Sequence, residues 1–319
     1  MLKVLRKGAA AFETPVLENG WRLPEDAVWV ELIEPSKAEE KAVEHSLGLE
    51  LPTREEMAEI EPSSRLYQAS GATYMTAAIL THSEDEFPTL APVTFVLAGD
   101  RLVTIRYIEP RAFALFAAQA ERQPLMCAGA AQTFIGLVDA VVDRIADILE
   151  RVAGEVEDSS QAIFRRPRQG GFEPLISQLG RSQMVNAKAR DSLVSIARLI
   201  SFAGLAPQIE DVEDQREHLK TLQRDVQSLT DHAGQVAANI TFLLDAAMGL
   251  INIEQNAIIK IFSVAAVVFL PPTLVASIYG MNFHHMPELD WLAGYPMALG
   301  LMVVSMLVPL WWFRRKGWL

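Results

Sequence analysis

Two uncharged stretches lie close together near the end of this 319-residue chain: residues 261–278 read IFSVAAVVFLPPTLVASI, and residues 295–313 read YPMALGLMVVSMLVPLWWF. Each is close to the ~20 residues that a helix needs to cross the hydrocarbon core of a bilayer. A buried helix of a soluble protein is the alternative. Two such runs at one end of the chain, the second ending in three aromatic residues and then three basic ones, favour membrane helices. We therefore expect spans over about 258–279 and 295–313.

Basic residues mark the same side of both spans. Lys260 lies at the start of the first span, and the run 314–316 is Arg-Arg-Lys after the second. The intervening residues 279–294 contain Glu288 and Asp290 but no Lys or Arg. Because Lys and Arg are enriched in cytoplasmic loops, we expect both termini in the cytoplasm and a short outward loop, as a multi-pass protein of the plasma (inner) membrane.

The rest of the chain is acidic. Residues 1–250 hold 24 basic and 37 acidic residues, in a chain whose net charge is −12. Such a body repels nucleic acid and attracts cations, so we expect no nucleic-acid partner. Cys127 is the one cysteine, which excludes an intrachain disulfide. The histidines of residues 1–250 are scattered and we find no nucleophile–base set, so the sequence does not indicate an enzyme.

The organisation predicted from the sequence has three parts. Residues 1–125 read as an N-terminal cytosolic α/β domain with a mostly antiparallel sheet, from strand-like runs at 28–34, 73–81, 90–97 and 102–108. Residues 126–256 read as long cytosolic helices that include a stalk, and 257–319 as two transmembrane helices with a short outer loop. The fold class is therefore α+β with long stalk helices and two C-terminal membrane helices.

The first span carries a stripe of polar and small residues with a period of 3.5. Such a seam indicates a helix packed in a bundle, where the alternative is a simple helix–helix contact. Two spans per chain cannot enclose a pore, so a channel would need an oligomer. The stripe comprises Asn256, Ile259, Ser263, Ala266, Leu270, Thr273 and Ser277, and upstream Asn252, Gly249 and Asp245.

A short motif, Tyr279-Gly-Met-Asn282, stands at the outer end of the first span, and Met286-Pro-Glu-Leu289 follows it. Between two terminal spans this motif is a strong family signal. With the preceding residues 269–277 and the terminal Lys-Gly-Trp-Leu, the stretch from about 247 to 319 closely resembles the CorA family of magnesium and cobalt transporters. The order of domains resembles that family along the whole chain. This resemblance implies a funnel-shaped homopentamer in the lipid bilayer, whose pore the five first-span helices line.

The resemblance implies the residues of the ion pathway. Gly280, Met281 and Asn282 would form a selectivity filter, in which neutral oxygens hold a hydrated Mg²⁺, an ion that dehydrates reluctantly. The family places Phe262 on the axis where the 3.5-residue period places Ser263, and we follow the family. The implied pore lining is Asp245, Asn256, Ile259, Phe262, Ala266, Leu270, Thr273 and Ser277.

The outer loop departs from the family's usual pattern. An acidic residue ordinarily follows Asn-Phe, whereas this chain has His284-His285, with Glu288 further on. Adjacent histidines can bind Zn²⁺, Ni²⁺ or Co²⁺. The favoured interpretation is two exposed loop histidines with no ligand role, although the change puts strict magnesium selectivity in doubt. The favoured function is Mg²⁺ uptake driven by membrane potential, with Co²⁺ and Ni²⁺ as further ions. The alternatives are a zinc transporter of the same fold and a non-conducting, membrane-anchored cytosolic scaffold.

A passive channel needs feedback, and the resemblance implies that cytosolic Mg²⁺ closes it by bridging carboxylates of neighbouring subunits. Counted back from Asn282, the family's stalk aspartate falls on Thr221. Asp225 is the next carboxylate downstream, four residues along the same helix face. We nominate Asp225 as the regulatory metal ligand, with Mg²⁺ both transported and regulatory; the alternative is a solvated stalk carboxylate that binds no ion.

Overall fold

The computed structural model describes residues 1–9, 11–18, 20–59, 61–85, 87–165, 171–282, 284 and 286–317. These residues form two compact units, Met1–Leu244 and Asp245–Leu319. One helix, α8 (Glu213–Tyr279), contributes residues to both units. The expected fold class, an α+β domain with long helices and two C-terminal apolar helices, is confirmed.

A six-stranded sheet is the centre of the first unit. Its order is β1-β2-β6-β5-β4-β3, and every neighbouring pair is antiparallel except β2 with β6. The turn Gly99-Asp100 joins β5 to β6, and Gly99 has a φ of 58°, a conformation that glycine adopts at little cost. The strands are β1 (Leu2–Arg6), β2 (Ala27–Ile33), β3 (Leu66–Ala69), β4 (Ala72–Thr81), β5 (Thr89–Ala98) and β6 (Arg101–Arg106).

Helices flank this sheet. The two short helices after β2 begin as the sequence indicates, because Ser36 with Glu39 and Thr53 with Glu56 each form a complete capping box. The helices of this unit are α1 (Lys37–Leu47), α2 (Arg54–Ala58), α3 (Pro62–Arg65), α4 (Arg111–Arg122), the 3₁₀ turn Pro124–Cys127, α5 (Ala130–Phe164), α6 (Glu173–Ala203) and α7 (Pro207–Glu210), together with the first part of α8.

Strand β2 is buried on both faces, including Glu31. The Glu31 carboxylate is 3.0 Å from Nη2 of Arg106 on β6, and both side chains are almost fully buried. The second guanidinium nitrogen of Arg106, Nη1, donates to the carbonyl of Ile108 at 2.6 Å. The parallel register places these charges on adjacent strands, so that each neutralises the other inside the core.

We expect Arg106→Met to destabilise the first unit by about 3–5 kcal/mol, because Glu31 would then be a buried charge without a partner. Thermal unfolding of the full chain in detergent measures the effect. Arg101→Met on the same strand, which removes one exposed bond to the carbonyl of Glu25, is the control. The double variant Glu31→Leu/Arg106→Met should recover most of the loss, and an Arg106→Met protein as stable as wild type would contradict this account.

The part of α8 in the first unit packs through a stripe of buried residues that follow one another at steps of three, four or seven. Three contacts with the preceding helices support this packing: Asn186 Nδ2 donates to the Ala233 carbonyl at 2.9 Å, Gln223 Nε2 donates to Ser201 Oγ at 3.3 Å, and the rings of Phe164 and Phe242 lie 6.4 Å apart. The buried residues of the stripe in this unit are Leu219, Leu222, Val226, Ala233, Val236, Ile240 and Leu243.

The second unit consists of the end of α8, the 3₁₀ turn Pro287–Asp290 and helix α9 (Gly294–Arg315). Helix α8 continues through Pro271 and Pro272 and ends at Tyr279. The most apolar windows of α8 and α9 have mean hydropathies of 2.2 and 1.8, and only 6% and 11% of these windows is buried. Core helices of a soluble protein would be mostly buried, so length, composition and exposure together indicate membrane spans.

Candidate ion pathway

The predicted pore stripe lies on an exposed face of α8. Successive residues of an α-helix are rotated by about 100° around its axis. Thr273 therefore lies about 200° around the helix from both Pro271 and Val275, which are partly buried. The membrane part of α8 therefore has one packed face and one open face. The open face carries every predicted pore residue, all of them exposed: Asp245, Asn256, Ile259, Phe262, Ala266, Leu270, Thr273 and Ser277.

Phe262 and Ser263 flank the centre of this stripe. By helix geometry each is about 50° from the mean direction of the stripe, on opposite sides. Both are exposed. A small rotation of the helix would bring either side chain to the centre of the stripe.

Thr273 presents a hydroxyl in the middle of the apolar span. Its Oγ1 donates to the carbonyl of Phe269 at 2.7 Å, one turn earlier on the helix. This bond satisfies the hydroxyl proton inside the helix, as is common for threonine in membrane helices. The oxygen keeps its acceptor capacity on the open face, where it can hydrogen-bond to the water of a hydrated cation.

The Gly280-Met281-Asn282 segment closes the outer end of α8. Gly280 N donates to the Ala276 carbonyl at 2.9 Å, and Met281 N donates to the Ile278 carbonyl at 3.3 Å. A Cβ at Gly280 would lie 3.0 Å from the Ala276 carbonyl oxygen, so the backbone turns tightly here. Asn282 follows with an exposed side chain. The amide and the nearby carbonyls thus lie at the end of the open face.

The outer loop returns from this segment to α9. His284 is exposed and Glu288 is partly buried, whereas His285 lies outside the described residues. Glu288 and Gly280 line a common cavity of about 400 Å³. Glu288 therefore lines the same cavity as the glycine of the Gly280-Met281-Asn282 segment.

Asp225, the predicted regulatory ligand, is exposed on the part of α8 that belongs to the first unit. Burial is the main cause that raises the pKa of Asp139 on α5, and the neighbouring carboxylate of Asp143 raises it further. His218 lowers this pKa, whereas Asp225 raises it. Carboxylates from α5 and α8 thus lie near one another. Sequence spacing shows the i, i+4 pair of Asp139 and Asp143, but it could not show that Asp225 lies near them. In the described parts of one chain, no three His, Cys, Asp or Glu side chains are grouped to hold a metal ion.

The chain is similar to known proteins over most of its length. The family profile described as "CorA-like Mg2+ transporter protein" matches residues 24–315. The magnesium transport protein CorA of Pasteurella multocida is 38% identical over 293 residues, which cover 92% of each chain. Its counterpart from Haemophilus influenzae is 36% identical over the same share of each chain.

A solved structure shows the same fold over the full length. The complete CorA magnesium transporter from Methanocaldococcus jannaschii superposes with a TM-score of 0.75, covering 100% of this chain and 99% of that one. Sequence identity in this superposition is 18%, so the likeness concerns the fold. The sequence relatives and the fold therefore agree along the chain.

Proposed function

The chain belongs to the CorA family of Mg²⁺ transporters, and from this premise we propose that it is a passive Mg²⁺ channel formed by five copies. Members of this family are ion transporters rather than enzymes. The observation that carries the proposal is the open face of α8, which runs as one exposed stripe to Gly280-Met281-Asn282. Two apolar helices per chain cannot enclose a pore, whereas five α8 helices with this face inward can.

Neutral oxygens suit the selection of Mg²⁺. The ion dehydrates reluctantly and usually keeps several waters, so a ring of five Asn282 amides can hydrogen-bond its hydration shell. Conduction requires sites that bind weakly enough to release the ion, and a ring of carboxylates in this position would hold a divalent cation more tightly. Gly280 carbonyls would add acceptors, with Met281 between the two rings.

The remaining stripe alternates polar rings with apolar ones. Thr273, Ser277 and Asn256 would relay the hydrated ion. The apolar side chains of Leu270, Phe262 and Ile259 would form constrictions, with Ala266 between them, and such constrictions close by dewetting. Asp245 would form an acidic ring toward the cytoplasm. The proposed division of the chain remains 1–125, 126–256 and 257–319.

Membrane potential is the proposed driving force. A divalent ion gains about 4.6 kcal/mol per 100 mV of inside-negative potential, twice the value for a single charge. The basic run 314–316 supports a plasma (inner) membrane protein with both termini in the cytoplasm, by the positive-inside rule. Co²⁺ and Ni²⁺ are proposed as further ions, because they form hydrated divalent cations that the same amide ring can accept.

Uptake into proteoliposomes that contain the purified full chain tests this function. Mg²⁺, Co²⁺, Ni²⁺ and Zn²⁺ are each presented outside, with a metal-sensitive dye inside. We expect Mg²⁺ entry well above protein-free liposomes, with Co²⁺ and Ni²⁺ entering more slowly. Entry of Zn²⁺ alone would replace the proposal by zinc transport, and entry of no ion would favour a non-conducting scaffold.

Closure by cytosolic Mg²⁺ is proposed through Asp225. Its oxygens, with those of Asp139 and Asp143, are ligands that Mg²⁺ prefers. Because a single chain lacks a complete ligand group within its described residues, the ion would bridge carboxylates of neighbouring subunits. Loss of the ion would then leave like charges facing each other and remove the stabilisation of the closed state.

We expect Asp225→Lys to weaken Mg²⁺-dependent closure, because the lysine ammonium supplies a permanent positive charge where the ion would bind. The concentration of cytosolic Mg²⁺ that half-closes the channel should rise by about threefold or more, which corresponds to a change of ~0.7 kcal/mol in the coupling free energy. The matched control is Asp231→Lys, since Asp231 is exposed on the same helix and bonds locally to Gln227. An unaltered midpoint in Asp225→Lys would remove Asp225 from the sensor.

A further inference from the structure

The first residue of α9 lies against the backbone of the outer loop. A Cβ at Gly294 would overlap the carbonyl oxygen of Glu288, and it would lie 3.4 Å from the carbonyl carbon of Glu288 and 3.8 Å from Cβ of Trp291. Gly294 is itself buried. Since the overlapping atom belongs to the backbone, rotation of a side chain cannot relieve the clash, and any side chain at 294 must displace the loop.

Backbone bonds hold the same segment together. Gly294 N donates to the Trp291 carbonyl at 2.9 Å, and Trp291 N donates to the Glu288 carbonyl at 3.5 Å. The 3₁₀ turn Pro287–Asp290 carries Glu288 into this arrangement. The position of the Glu288 backbone is therefore fixed relative to the start of α9.

The same loop also lines a cavity at the end of α8. Gly280, Glu288 and Gly294 line one cavity of about 400 Å³, together with the aromatic residues Trp291 and Tyr295. Glu288 is partly buried there. A shift of the loop at Gly294 would therefore move Glu288 relative to Gly280, at the end of α8.

We infer that Gly294 is a positioning residue, whose missing side chain lets the Glu288 backbone lie on α9 and so keeps the Glu288 carboxylate beside the ion entrance. This inference rests on the proposed channel function. Carboxylates at an entrance raise the local concentration of cations. The contribution of Gly294 therefore appears in the Mg²⁺ concentration that gives half-maximal uptake, rather than in the maximal rate.

Mg²⁺ uptake by Gly294→Ala proteoliposomes tests the effect on transport. We expect the half-saturating Mg²⁺ concentration to rise roughly three- to tenfold, with maximal uptake within about twofold of wild type. The increase should shrink at high ionic strength, because salt screens the attraction between the carboxylate and the approaching cation. Gly300→Ala in the same helix is the matched control, since a Cβ there meets no atom within 4 Å.

A double-variant cycle separates positioning from a general structural role. Glu288→Gln should raise the half-saturating concentration by a similar factor, and adding Gly294→Ala to it should change the value little. If Gly294→Ala raises the concentration equally in both backgrounds, Gly294 does not act through Glu288 and the inference is wrong. No increase in the wild-type background would also overturn it.

A second readout does not depend on transport. In a Cys127→Ser background, Glu288→Cys introduces a thiol whose reaction with an external, charged thiol reagent reports its exposure. We expect Gly294→Ala to accelerate this reaction roughly tenfold, since the displaced loop exposes a partly buried site. An unchanged rate overturns the inference, whereas absent wild-type uptake with an accelerated reaction overturns only the channel proposal.

A variant without any added side chain covers the case in which Gly294→Ala does not assemble. One glycine inserted after Leu292, which is fully exposed, lengthens the turn between Glu288 and Gly294. We expect the same increase in half-saturating concentration and the same faster thiol reaction. Wild-type values for both in this assembled variant would contradict the proposed constraint.

Discussion

Asn282→Ala is expected to abolish Mg²⁺ uptake while the protein still assembles. A hydrogen bond that involves a charged partner contributes about 1.5–3 kcal/mol, and the proposed ring offers one amide from each of five subunits. Loss of only two such bonds to the hydrated ion would cost ~3–6 kcal/mol, a reduction of a hundredfold or more. Asn282 is exposed at the end of α8, so its truncation removes no buried packing.

Two controls accompany the Asn282 measurement. Asn282→Gln keeps the amide on a longer side chain and should retain partial uptake. Asn239→Ala, at an exposed position of α8 in the first unit, should leave uptake near wild type. Size-exclusion chromatography in detergent verifies assembly of each variant. Uptake at the wild-type rate by an assembled Asn282→Ala protein would exclude Asn282 from ion recognition.

Leu270→Asn is expected to increase ion leak roughly tenfold or more under closing conditions, because an amide ring wets an apolar constriction that otherwise excludes water. Leu270 is 67% exposed in the single chain, on the same face as Thr273 and Ser277, as a pore-lining side chain must be before assembly. Mg²⁺ flux at high internal Mg²⁺ measures the leak.

The control variants test whether polarity at this position is the cause. Leu270→Ile keeps the constriction apolar and should stay closed. Leu307→Asn places the same amide on an exposed position of α9, outside the proposed pore, and should not raise the leak. A leak in Leu270→Asn no greater than in wild type would move the gate to another ring.

Local patterns in the sequence were sufficient to predict most of the fold. Alternation and turn residues identify β2, β4, β5 and β6, and the capping pairs identify the starts of α1 and α2. Strands β1 and β3 were missed, because five and four residues are too short to show a period. The sequence pattern also did not separate α7, a single short turn, from the long helix α8 that begins at Glu213.

Contacts between distant residues could not be predicted in this way. Glu31 reads as the polar side of an alternating strand, yet it is buried because Arg106, 75 residues later, lies on the neighbouring parallel strand. The proximity of Asp225 to Asp139 likewise depends on how α5 and α8 pack. For the ion pathway, the Gly280-Met281-Asn282 motif and the α8 stripe are local features, whereas the constraint at Gly294 depends on the folded loop.

The most direct test of the central claim is Mg²⁺ uptake by the full chain in proteoliposomes with an imposed K⁺ diffusion potential and no ATP. At about 100 mV inside negative, the potential contributes ~4.6 kcal/mol per Mg²⁺ ion, so Mg²⁺ should accumulate against its concentration gradient. Accumulation should stop when the potential is collapsed and should be absent from Asn282→Ala liposomes. Mg²⁺ entry no greater than in protein-free liposomes, at any potential, would contradict the account.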